Sequence, residues 1–114
     1  MNIVREVVLP VTREEAWEAL TDADRLREWF ANDVELDPTP GGSGVFRWDN
    51  GEERHAIVEI ADEGETLVLR WEDTGLVELV LEDDPNGTRV RVRETAPEWG
   101  IALELEACAA WAIA

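Results

Sequence analysis

Val11-Thr12-Arg13-Glu14-Glu15-Ala16-Trp17-Glu18-Ala19-Leu20-Thr21-Asp22, followed by Leu26-Arg27-Glu28-Trp29-Phe30, is the stretch that decides the architecture. Thr12 and Glu15 have the spacing of a capping box: the Thr oxygen accepts the backbone N–H three residues on, and the Glu side chain reaches back. Ala16, Trp17 and Leu20 then form an apolar stripe at helical spacing. Asp22 is a second N-cap residue and opens a shorter helix through Leu26, Trp29 and Phe30. Two short helices in succession are therefore predicted between residues 13 and 31. Trp17, Leu20, Trp29 and Phe30 read as core, because aromatic stripes at helical spacing usually bury.

Outward from these helices the texture is that of strands. Upstream, Ile3 to Leu9 is rich in Val, Ile and Leu and stops at Pro10. Downstream, Val34-Glu35-Leu36 stops at Asp37-Pro38, and Val45 to Trp48 ends at the turn Asp49-Asn50-Gly51. Gly41 and Gly42, in the loop between them, permit a turn or a close chain approach. Arg54 to Ile60 alternates, placing Ala56, Val58 and Ile60 on one face and His55, Ile57 and Glu59 on the other. Thr66 to Trp71 and Leu76 to Glu82 follow. Asp84-Pro85-Asn86-Gly87 is the strongest turn signal and leads into Thr88 to Glu94, with Val90 and Val92 inward and Arg89, Arg91 and Arg93 outward. Short turns of this kind predict an antiparallel meander of about six strands. Pro97 suits the first turn of a last helix reaching Ala114, apolar all round after Glu106 and so in need of cover. The expected order is β-α-α-β(about 6)-α, an α+β domain spanning 1–114.

Composition narrows the function. Among 114 residues, 27 are acidic and 10 basic, a formal charge of −17, and every basic residue is Arg. Such a charge repels phosphate backbones and anionic membrane surfaces, so neither nucleic acid nor membrane is an expected partner. Residues 1–10 lack the apolar run of a signal peptide, and no stretch approaches a membrane span. Cys108 is the only cysteine, which excludes an internal disulfide and makes the cytoplasm the expected location. Ser43 and His55 are the only residues of their kinds, and Lys and Tyr are absent. Covalent catalysis therefore has almost no candidates. No His pair, Cys pair or oxygen-rich loop has metal-ligand spacing, so neither metal nor cofactor is expected.

The order of elements, with Trp17-Glu18-Ala19-Leu20-Thr21-Asp22, Trp29-Phe30, Pro40-Gly41-Gly42 before Phe46-Arg47-Trp48, Leu69-Arg70-Trp71-Glu72 and Gly87-Thr88-Arg89-Val90, resembles the START-like (SRPBCC) superfamily. More closely, it is similar to bacterial homologues of the activator of the ninety-kilodalton heat-shock-protein ATPase. The resemblance implies a helix-grip fold, in which a curved antiparallel sheet wraps a long C-terminal helix. It also implies a cavity between sheet and helix for a small apolar or amphipathic molecule. The Ala-rich last segment either permits close packing there or leaves a void.

Expected lining residues are Trp48, Trp71, Trp99 and Leu103, with His55, Glu59, Arg70 or Glu78 as polar anchors, since pockets are mostly apolar with a few placed polar groups. The leading expectation is a non-enzymatic binder of a small hydrophobic ligand. A protein-interaction module is the second, with a homodimer or a chaperone as partner, drawn from the apolar end and the charged surface. A cyclase-like enzyme using a pocket carboxylate or His55 as general base is the third.

Overall fold

The computed structural model describes residues 3–72 and 75–95. The capping box forms as its spacing requires: the Thr12 side chain accepts from the Glu15 backbone N–H at 3.2 Å and donates to Glu15 Oε1 at 3.1 Å. Helix α1 then runs Arg13–Thr21. Asp22 both ends α1, donating its backbone N–H to Glu18 O, and caps α2, Ala23–Trp29, by accepting from the Asp24 N–H at 2.8 Å. One residue thus turns the chain between two helices, because its extended backbone stops the first while its carboxylate takes an orphan donor of the second.

Seven strands surround this pair in sequence: β1 Ile3–Leu9, then after the helices β2 Asp33–Leu36, β3 Ser43–Arg47, β4 Glu53–Asp62, β5 Thr66–Trp71, β6 Leu76–Asp84 and β7 Gly87–Glu94. Six strands follow the helices, as the turn signals imply. They form one antiparallel sheet in the order β1-β7-β6-β5-β4-β3-β2. The sheet curls into a half-barrel, and the helices join its inner residues in a single core. In β7, Thr88, Val90, Val92 and Glu94 are buried, whereas Arg91 and Arg93 are exposed. Register carries this inward face to Leu79 and Leu81 of β6, Leu67 and Leu69 of β5, Val58 of β4, Phe46 of β3 and Val34 of β2. From the helices, Trp17, Leu20, Leu26, Trp29 and Phe30 complete the core.

The outer face is charged where β1, β7 and β6 meet. Arg91 lies 3.2 Å from Glu6 and 3.1 Å from Glu82, and Arg89 lies 2.7 Å from Asp84. Such cross-strand pairs favour this register, though exposed ones contribute little stability each.

One strand departs from its sequence reading. In β4 the register shifts between Val58 and Ile60, leaving Glu59 as an extra residue. This bulge inverts the alternation beyond it: Ala56 and Val58 face the core, but Ile60 pairs with Val68 and is 44% exposed. Ile60 does not share a face with Ala56 and Val58, because a bulge adds one residue to a period of two. The predicted C-terminal helix lies outside the described residues. Among those described, no helix is long and apolar enough to cross a membrane.

Candidate functional site

The inner face holds a connected series of aromatic rings. Phe30, delivered by the end of α2, sits 5.6 Å from Trp29, 5.5 Å from Phe46 and 5.3 Å from Trp48, and Phe46 sits 5.5 Å from Trp71. The last three contacts are edge-to-face, the arrangement that the ring quadrupoles favour. Indole N–H groups are anchored along the series. Trp29 donates to Ala19 O at 2.8 Å and Trp48 to Phe30 O at 2.9 Å. Trp71 donates to Glu94 Oε2 at 2.8 Å.

Glu94 ends the series. It is 1% exposed, on the inward side of β7, with Val77 and Ile3 as its register partners. Taking a carboxyl out of water is costly unless it is hydrogen-bonded, and the Trp71 indole is one of the groups that hold it. Sequence reasoning passed over Glu94, yet the signal was there. Val90 and Val92 point inward, and two further residues along a regular strand is Glu94.

The other expected site residues fall differently. Trp48 and Trp71 line the inner face, half-buried and buried respectively. His55, Glu59, Arg70 and Glu78 belong to the outer face or to the bulge. His55 and Arg70 border a depression of about 340 Å³ across β3, β4 and β5, with Ser43, Val45, Ile57, Trp71 and Glu72. Arg70 is paired with Glu59, and His55 Nε2 lies 3.6 Å from Glu53. Glu78 stands opposite Arg93 and Val68. The six described candidates are thus divided between two faces, though His55, Arg70 and Trp71 border one depression. Trp99 and Leu103 lie outside the described residues.

Beside this depression, Arg47 gathers three carboxylates: Glu53 at 2.8 Å and Asp33 and Glu35 at 3.0 Å each. The cluster raises the pKa of Arg47 through its hydrogen bonds to Glu35, Glu53 and Asp33. In return, the Arg47 hydrogen bond holds the Glu53 carboxyl below its ordinary value, against some desolvation and with a smaller push from His55. A depressed carboxylate contributes stability above its unfolded value and loses it as pH falls through the folded one. An NMR titration of side-chain carboxyl carbons should give Glu53 a midpoint below that of an ordinary glutamate. Arg47→Met should move it back up. Among the described residues, no three His, Cys, Asp or Glu side chains are placed to hold a metal ion.

A curled antiparallel sheet behind two short helices, with an aromatic inner face, defines a START-like domain of the kind that serves as a binding or interaction module. The chain belongs to the family described as Activator of Hsp90 ATPase homolog 1-like protein, whose model matches residues 10–111. Three solved structures show the same fold. A protein from Mesorhizobium loti superposes with a TM-score of 0.82 at 20% identity, over 95% of this chain and 90% of that one. An AHSA1-like protein from Aeromonas hydrophila gives 0.77 at 19% identity, over 97% and 84%. An Aha1 dimer from Colwellia psychrerythraea gives 0.76 at 21% identity, over 99% and 89%. Among curated proteins, none matches this sequence.

Proposed function

We propose that the chain is a non-enzymatic binder of a small apolar or amphipathic molecule, taken up on the inner face of the sheet and acting as carrier, sensor or sink in the cytoplasm. The aromatic series ending on the buried Glu94 carries this reading. A mostly apolar wall with one placed polar group is the composition of small-molecule sites. Trp48 and Trp71 are the wall residues we assign to it, Trp99 and Leu103 the further lining we expect. The amphipathic character of the ligand follows from Glu94, whose carboxyl is the polar feature at the end of the apolar row.

Thermal unfolding in the presence of a library of lipophilic metabolites tests it. A ligand present at about 100 times its Kd stabilises the folded state by about 2.7 kcal/mol, a rise of roughly 10 °C for a domain of this size. Hits should share one scaffold and lose their effect in Trp48→Ala. A flat screen, or hits indifferent to Trp48, would count against the reading.

A second reading is favoured by the Colwellia psychrerythraea structure, which is described as a dimer. On this reading the chain pairs with a second copy or with a protein partner such as a chaperone. Sedimentation at several concentrations tests the pairing of two copies, because self-association makes mass depend on concentration.

A further inference from the structure

Trp17 breaks the pattern of the other described tryptophans. It is 9% exposed, on the face of α1 that packs into the core. Trp29, Trp48 and Trp71 all donate their indole N–H to a protein acceptor. Trp17 has no such acceptor among the described residues, and its nitrogen is not among the fully buried polar atoms. Buried indoles usually find a hydrogen-bond partner, so this donor is left at the surface of an otherwise buried ring. The ring borders a depression of about 350 Å³ between α1 and the β4–β5 turn, lined also by Arg13, Glu14, Glu18, Glu63 and Gly64.

The charges around it have one sign to spare. Glu14, Glu18 and Glu63 are all exposed. The guanidinium of Arg13 is already engaged, with Nε and Nη2 at 3.2 and 3.1 Å from Asp83 and Nη1 at 3.9 Å from Glu65. Three carboxylate-bearing residues and an indole donor without a protein acceptor among the described residues therefore line the same depression. A simple cation satisfies only the carboxylates, and a simple anion is repelled. A ligand carrying both a cation and a nearby carbonyl satisfies both halves, and an arginine residue within a peptide has that chemistry. Its guanidinium meets the carboxylates in charge-assisted hydrogen bonds, its methylene stem covers the indole, and its backbone carbonyl accepts from the Trp17 N–H.

We propose that this depression is a docking site for an arginine side chain presented on a peptide segment of a protein partner. It is separate from the inner-face site and does not depend on it. The overall charge of −17 favours the approach of a basic partner.

The indole N–H resonances of the ¹⁵N-labelled protein provide the test. Titration with N-acetyl-arginine amide should shift the Trp17 signal more than the other indoles, with a Kd on the order of 1 mM, as expected for so small a probe. The neutral citrulline analogue should leave it in place. n-Butylguanidine, which has the same single charge but no carbonyl, should bind at least several-fold more weakly. The triple variant Glu14→Gln, Glu18→Gln, Glu63→Gln should weaken binding at least tenfold. A variant with the same change in charge elsewhere, Asp49→Asn, Glu52→Gln, Glu72→Gln, should keep it. All six side chains are exposed, so both variants retain the fold. The proposal is overturned by an unmoved Trp17 signal, by equal binding of the citrulline analogue or n-butylguanidine, or by equal effects of the two variants.

Discussion

Phe46→Ala should remove about 3–5 kcal/mol of stability, the largest single loss expected among core truncations. Phe46 is fully buried on β3 and lies edge-on to both Phe30 and Trp71. It is the ring through which α2 meets the middle of the sheet. Truncation leaves a cavity that Trp71 cannot turn to fill, since its indole is tied to Glu94. A domain of this size has a total stability of about 5–15 kcal/mol, so the variant sits near the edge of folding. Urea unfolding checks this: the midpoint should fall steeply with little change in slope. Phe46→Leu, which keeps most of the volume, should cost less than half as much. Similar small losses in both variants would mean that the ring is not packed as described.

Gly87→Ala is expected to cost about 3 kcal/mol, by a different route. Gly87 opens β7 after the two-residue turn Pro85-Asn86, with φ at +139°, a backbone state that L side chains rarely adopt. A Cβ there would lie 2.0 Å from Leu9 O and 2.9 Å from Pro10 Cα. Both obstacles are backbone, so no side chain can turn aside, and β1 must move away from β7. Amide exchange should therefore quicken first in β1. Gly51→Ala is the matched control, with φ at +92° but nothing within 4 Å of the added carbon; strain alone should cost it about 1 kcal/mol. Equal losses at the two positions would refute the clash with β1.

These two sites also mark how far the sequence could be read. Local chemistry was legible. Thr12 with Glu15, Asp22, and the turn before Gly87 each act within four residues, and each formed the expected cap or turn. Alternation in β7 announced the inward valines and outward arginines. What stayed hidden depends on partners far along the chain. Around Glu59 the pattern Ala56, Val58, Ile60 reads as one clean face, and only pairing with β5 creates the bulge. The placement of the candidate anchors stayed hidden for the same reason: strand alternation says which residues share a face, but not which face the helices cover. Nor does a helical stripe reveal that Trp17, unlike Trp29, Trp48 and Trp71, has no acceptor for its indole N–H among the described residues.

The order of strands sets a timetable for folding during synthesis. From β2 to β7 each strand pairs with the one made just before it, so that part of the sheet can assemble hairpin by hairpin. β1 alone must wait, because its partner β7 begins at Gly87 while β1 ends at Leu9. At about 5–20 residues per second, the ribosome takes roughly 4–16 s to supply the intervening chain. Throughout that interval a nascent strand rich in valine stands without its neighbour, and it is there that a chaperone holding unfinished chains would have most to gain.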